Sequence, residues 1–400
     1  MLTVFLGEET CFVLLFLDKR CENYRIALYL WRRNENQLNL WMNEITFMIN
    51  QKDCKDQLMS QLSNAIKVPM IILVIFVHEN LNLEHDGYWG LLLASMAYVA
   101  VPVFFLISGY YFFHGREFGK GEYLRKLKKR SKTLLLPYLL WNLLPMLNIV
   151  AGNVFSIVFR GKSTEALQGY FADLWNQGIW HVWWDMTAGT MPYDSPLWYV
   201  RDLMVMCVLS PLGYVFARRF GLIFGGAILI LLYVLGFNTG IVGLSMSSIT
   251  FFTLGACFAV NASKMQTPSE VAYRFRWLFC VMSAMNLMLY LVFYEYSWAH
   301  VFQMLYIAFG VFSFYYLIGL LPDKAMESVT ALSSSVFFVY ALHNTCVLAW
   351  CGGMMNRLPL PHSFVIVIVP FITFGACYGI YWIVRKICPQ ALALLCGGRV

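Results

Sequence analysis

Apolar residues gather along this chain in runs of about 20, the length an α-helix needs to cross a hydrocarbon layer about 30 Å thick. Ten such runs cover approximately residues 66–83, 88–113, 133–159, 196–217, 220–237, 241–260, 277–298, 300–321, 332–352 and 363–384. The pattern predicts an all-α integral membrane protein, a bundle of about ten transmembrane helices forming one membrane domain over residues 61–390. A short tail of residues 391–400 follows it. Residues 1–60 read differently. Their apolar stretch from Cys11 to Leu17 is too short to span and runs into Asp18, Lys19 and Arg20. Aromatic and charged residues mix further on, in Trp31-Arg32-Arg33 and at Trp41, so the segment reads either as an interfacial helix or as an over-extended start.

Composition agrees with lipid as the solvent: of 400 residues 60% are apolar, 17% aromatic and only 13% charged. So few charges cannot cover a soluble domain of this size, whereas lipid solvates apolar faces directly. The net charge of +7 raises the question of nucleic acid, but the placement of the basic residues answers it. With ten spans and an inward N-terminus, the 29 Lys and Arg residues fall on the cytoplasmic side, except Arg160, Lys162 and Arg357 outside and Arg201 within a span. That asymmetry predicts cytoplasmic termini at both ends and no nucleic-acid partner. The eleven cysteines show no CxxC pair and no Cys/His zinc spacing, so they read as small buried hydrophobes without a metal.

Ionisable residues inside apolar runs are costly and are functional candidates by default. In the first run, Lys67-Val-Pro-Met-Ile-Ile-Leu-Val-Ile-Phe-Val-His78, eleven helical steps of about 100° return the two polar residues to nearly one face, about 16 Å apart along the axis. Glu79 adjoins His78 but points about 100° away. Arg201 and Asp202 lie a turn inside the fourth run; as helical neighbours they face apart, which predicts a separate partner for each. His343 sits about twelve residues into the ninth run, at a depth similar to His78. A basic cluster of Arg125, Lys126, Lys128, Lys129, Arg130 and Lys132 precedes the third run and suits either a polyanionic nucleotide or anionic lipid. The outer segment from Arg160 to Ser195 carries Trp175, Trp180, Trp183, Trp184, Asp173, Asp185 and Asp194, an interfacial aromatic belt or a sugar-contacting surface.

Five phrases, in order, resemble the acyltransferase family 3 of polytopic membrane acyltransferases. They are Lys67 with His78; Pro102-Val-Phe-Phe-Leu-Ile-Ser108-Gly109-Tyr110; Leu136-Pro137-Tyr138-Leu-Leu-Trp141 after the basic cluster; Leu197-Trp198-Tyr199-Val-Arg201-Asp202-Leu203; and Val339-Tyr340-Ala-Leu342-His343. The resemblance runs from about Asn64 to Arg385. It implies transfer of an acyl group, commonly acetyl from acetyl-CoA as a diffusible co-substrate, to a hydroxyl or amino group of an envelope carbohydrate at a bacterial plasma membrane. Within that reading His78 is either the general base or a covalent acyl carrier, with Glu79 beside it. Lys67, Lys126, Lys129 and Arg130 are expected on the donor and Arg201 and His343 on substrate. Lys67 stands where many members have Arg, keeping the charge but losing the bidentate fork. Ser108-Gly109 lacks the strand-to-helix elbow of soluble hydrolases and is expected to serve close helix packing. Intramembrane charges and an aromatic outer loop also suit a transporter or a lipid-linked sugar translocase.

Overall fold

The computed structural model of the protein describes residues 2–6, 11–15, 56–79, 83–115, 117–178, 180–184, 191–261 and 267–398. The chain divides into two compact units, Met1–Leu58 and Met59–Val400. In the first, β1 (Leu2–Leu6) and β2 (Cys11–Leu15) pair antiparallel, with Leu2 opposite Leu15 and Leu6 opposite Cys11. A strand thus begins in the stretch for which an interfacial helix was one expectation, and both strands are rich in β-branched and aromatic residues. Trp31, Arg32, Arg33 and Trp41 lie outside the described residues.

The second unit is helical. In chain order it contains α1 (Lys67–His78), α2 (Leu83–Ala97), α3 (Ala100–Phe113), α4 (Lys120–Arg130), α5 (Leu136–Arg160), α6 (Glu165–Gln177), α7 (Trp198–Val208), α8 (Ser210–Val234) and α9 (Met246–Val260). There follow α10 (Pro268–Arg274), α11 (Arg276–Val292), α12 (His300–Ile318), α13 (Asp323–Leu332), α14 (Val336–Leu342), α15 (Leu348–Met355), α16 (His362–Ile387) and α17 (Pro389–Leu395). Among the described residues seven helical stretches are long and apolar enough to cross a membrane, or eight if α10 and α11, bent by 83°, are taken as one. The protein is a multi-pass helical membrane protein.

The difference from ten runs has local causes. The run expected over 196–217 breaks at Leu209, just before Ser210-Pro211 opens α8, so α7 is only 11 residues long. Gly221 then interrupts α8 with φ 68° and ψ −167°, a conformation open to glycine, two residues after Arg219. The sixth run yields α9, 15 residues long and too short to count by length alone.

Helix α9 is nonetheless central: every residue from Thr250 to Phe258 is buried. It packs on α3 through two glycines. A Cβ placed on Gly109 would stand 2.0 Å from the carbonyl oxygen of Phe252, and one on Gly255 would stand 2.4 Å from that of Leu106. Small residues let membrane helices approach this closely, and dispersion forces act where backbones meet. The close packing expected at Ser108-Gly109 is therefore made by Gly109. Ser108 turns elsewhere, its Oγ 3.1 Å from the Tyr199 hydroxyl. At the C-terminal end, α17 folds back on α5: Trp141 Nε1 donates to the Leu395 carbonyl at 3.0 Å, and Leu392 and Cys396 are fully buried.

Candidate active site

His78 is the last residue of α1, and its ring stands between two cavities. One, of about 880 Å³, has walls that include Val74, Val101, Trp198, Met246 and Met304. The other, of about 470 Å³, is bounded by Glu79, Asp86, Asn344, Asn356 and His362. The first is apolar in character and the second polar, so one imidazole faces two chemically different spaces. Among the described residues nothing hydrogen-bonds to the His78 ring.

His343 reaches the same place from the ninth run. It opens a π-helical turn, His343–Val347, between α14 and α15, where the usual i→i−4 ladder is interrupted. The side chain is fully buried, and its ring centre lies 5.1 Å from that of His78, with the planes inclined at 58°. Its Nδ1 is 2.7 Å from the Tyr340 carbonyl and 3.3 Å from that of Val339. Carbonyl oxygens only accept, so Nδ1 carries the proton and donates. The opposite nitrogen, Nε2, is buried with no hydrogen-bond partner among the described residues.

Glu79 caps α1 and borders the polar cavity, where its Oε2 is buried without a partner among the described residues. Across this cavity Asp86 and His362 pair at 2.7 Å, joining the first turn of α2 to the first residue of α16.

On the other side of Tyr340 lies a third cavity of about 250 Å³, bordered by Lys67, Ser108, Tyr199, Arg130 and Ser334. Tyr340 borders both this space and the 880 Å³ cavity, and its hydroxyl donates to the Pro196 carbonyl. Lys67 Nζ donates to Asn64 Oδ1 at 2.7 Å while lining the space. A fourth pocket, of about 420 Å³, is walled by Glu122, Arg125, Lys126, Lys129 and Arg130, and it shares Tyr111 and Arg130 with the third. Shared walls therefore link the basic pocket, the Lys67 cavity and the His78 cavity in series, with Arg130 and Tyr340 at the joints.

The basic residues are not equivalent. Arg125 is held by Glu122 at 2.5 and 2.8 Å, and Lys126 donates to the Phe112 carbonyl and lies 3.4 Å from the same carboxylate. Lys129 and Arg130 show no such tie to Glu122 and border the pocket directly.

Arg201 and Asp202 each have the separate partner expected, but the expectation that they face apart is corrected, because they also pair with each other. The guanidinium curls back to Asp202 Oδ1, with Nη2 at 3.1 Å and Nε at 3.3 Å, because its flexible stem spans an angle that helical geometry denies to a short side chain. Arg201 also donates to the Trp184 carbonyl at 2.5 Å, and Asp202 Oδ2 accepts from the Ser245 backbone at 3.1 Å. Arg201 is 4% exposed and borders none of the four cavities. The pair ties the outer segment and the start of α9 to α7.

The outer aromatics separate into two sets: Trp183 donates to the Leu139 carbonyl at 3.2 Å, whereas Trp175 and Trp180 are exposed. Asp185 lies outside the described residues. Asp194 is buried, with its backbone N–H on Asn142 Oδ1 at 2.9 Å and Oδ2 unpartnered among the described residues; desolvation pushes its carboxyl well above the usual carboxylate range. Cys346 and Cys351 are free thiols.

Sequence reasoning missed Asp86, His362 and Asn344 and gave no separate role to the Tyr340 hydroxyl. Asp86 and His362 had a usable signal, each standing as an ionisable residue at the end of an apolar run. Asn344 directly follows His343, but nothing in the chain marks it as lining a cavity.

No solved structure matches the chain. The succinoglycan biosynthesis protein ExoH of Rhizobium meliloti (strain 1021) is 28% identical over 169 residues, which cover 39% of this chain and 43% of that relative. The chain thus matches less than half the length of this curated relative. Residues 63–385 match the acyltransferase family 3 signature, described as an acyltransferase domain. With the paired histidines and nearly all of the membrane unit inside that match, the chain belongs to acyltransferase family 3.

Proposed function

We propose that the protein is a membrane acyltransferase that takes an acyl group, acetyl in the simplest case, from cytoplasmic acyl-CoA and places it on a hydroxyl or amino group of an envelope carbohydrate. The observation that carries this reading is the series of cavities from Arg130, through Tyr340, to His78. A CoA nucleotide suits the basic pocket, where Lys129 and Arg130 oppose its phosphates. The pantetheine arm then extends past Lys67 toward Tyr340, along the roughly 16 Å that separate Lys67 from His78 on one helix. The thioester comes to rest beside the imidazole.

His78 accepts the proton of the acceptor hydroxyl as its oxygen bonds to the thioester carbonyl carbon. When the carbon–sulfur bond breaks, the departing thiolate takes that proton from the imidazolium, leaving an ester and free CoA. Glu79 and the Asp86–His362 pair give the polar cavity acceptors for sugar hydroxyls, and the carbohydrate-pathway name of the ExoH relative supports an acceptor of that class. This reading sets the protein in a bacterial plasma membrane with both termini inside. The break at Leu209, the kink at Gly221 and the buried α9 support a ten-span path.

Liposomes containing the purified protein, radiolabelled acetyl-CoA and envelope carbohydrate test the proposal. Transfer of label to carbohydrate, abolished in His78→Ala, is expected. Passage of unmodified solute without a donor would instead identify a transporter, and transfer undiminished in His78→Ala would remove the imidazole from the chemistry.

A further inference from the structure

His343 has a geometry that packing alone does not require. Its Nδ1–H is committed to the Tyr340 carbonyl 2.7 Å away, which leaves the only lone pair of the neutral ring on Nε2. That nitrogen is buried and unpartnered, a state that costs free energy wherever it persists. The ring begins a π-helical turn, a local departure from the α-helix that is frequent at functional positions. Its neighbour is the His78 ring, 5.1 Å away centre to centre and inclined at 58°. With each ring nitrogen about 1.2 Å from its ring centre, two nitrogens aimed at each other across this gap would stand about 3 Å apart, within hydrogen-bond reach. Catalytic hydrogen bonds commonly close only when substrate binds.

We infer that His343 is the positioning residue for His78, with its Nε2 accepting the N–H of His78 during acyl transfer. The Tyr340 carbonyl fixes the His343 tautomer, and His343 in turn fixes that of His78. The far nitrogen of His78 is then obliged to carry a lone pair and meets the acceptor hydroxyl. As that nitrogen takes the hydroxyl proton, His78 becomes an imidazolium whose other N–H remains on His343 Nε2. The gained proton leaves with the CoA thiolate when the carbon–sulfur bond breaks, so both rings end neutral. No proton needs to pass to His343. A neutral imidazole thus occupies the place that a carboxylate holds in the Ser-His-Asp arrangement. It fits a lipid-enclosed site because it orients the base without adding a buried charge. This inference rests on His78 acting as the base.

Two substitutions separate the orienting lone pair from simple packing. In His343→Asn the amide nitrogen falls near the position of Nδ1 and can keep the bond to the Tyr340 carbonyl, but nothing replaces Nε2. In His343→Gln the amide oxygen reaches the position of Nε2 and restores an acceptor. Inside-out membrane vesicles from cells that make the native acceptor, supplied with radiolabelled acetyl-CoA, give kcat and the KM for donor. The Asn variant is expected to lose at least about 10²-fold in kcat with the donor KM unchanged, and the Gln variant to recover to within about tenfold of wild type. If His343→Asn does not assemble in the membrane, His343→Leu, similar in bulk and without a lone pair, takes its place in the comparison. Equal activity in the Gln variant and its comparator overturns the inference, as does a loss expressed in KM alone. Transfer retained in His78→Ala overturns the base reading and this inference together, whereas a dead His78→Ala beside a fully active His343→Asn overturns only the inference.

Discussion

Replacing Gly109 with alanine tests the helix seam and the site at once. A Cβ at this position would lie 2.0 Å from the Phe252 carbonyl oxygen, 2.8 Å from its carbon and 2.9 Å from its Cα. Real Cβ contacts essentially never fall below 3.0 Å, and the obstacle here is backbone, so no side-chain rotation relieves it. Helices α3 and α9 must therefore separate by about 1 Å, an overpacking strain of about 1–3 kcal/mol. Ser108 rides on α3 and lines the same cavity as Lys67 and Tyr340, so the same shift moves a wall of the donor path proposed above. Misplacement of about 1 Å in a reacting assembly lowers rates about 10²-fold. The expected result for Gly109→Ala is a lower Tm in detergent and an acetyl-transfer rate down by about two orders of magnitude. Gly121→Ala is the control, because nothing lies within 4 Å of its added Cβ. A Gly109→Ala protein with the Tm and rate of wild type would refute the close approach of these helices and the coupling of that seam to the donor path.

Three further outcomes are expected. Asp202→Ala removes a buried carboxylate that accepts from Arg201 at 3.1 Å and from the Ser245 backbone N–H at 3.1 Å, and should cost about 1–3 kcal/mol in thermal unfolding, part of it regained in Asp202→Asn, which keeps one acceptor oxygen. Changing Lys129 and Arg130 together to Gln should raise the KM for acetyl-CoA about five- to tenfold with little change in kcat, and should flatten its dependence on salt. Burial raises the Asp194 carboxyl, so above about pH 4 the folded protein binds more protons than the unfolded chain and stability falls as pH rises. Asp194→Asn removes that contribution, and the Tm difference between variant and wild type should grow in the variant's favour from pH 5 upward.

Much of the candidate site was legible because helical periodicity acts over short distances. Lys67 and His78 share a helix, and the spacing between them predicts one face without knowledge of any neighbour. In the structure Lys67 lines one cavity and His78 the next, with Tyr340 between the two spaces. The basic cluster was equally visible, yet its division was not: Lys126 is turned onto the Phe112 carbonyl and Glu122, while Lys129 and Arg130 face the pocket. Arg201 shows where periodicity misleads. It constrains the direction in which a side chain leaves the helix, not where four rotatable bonds end, and the guanidinium returned to the adjacent carboxylate.

Sequence by itself determined that this is a helical membrane protein of acyltransferase family 3. Apolar content, run length and the order of short phrases are properties of a chain that survive any arrangement of its helices. Tertiary structure alone decided that His78 meets His343, that Asp86 meets His362, and that four separate spaces share walls in series. Each of these depends on helices hundreds of residues apart settling to within a few ångströms. Interhelical packing fixes such distances, through features such as the glycine seam between α3 and α9, and no local pattern in the sequence encodes them.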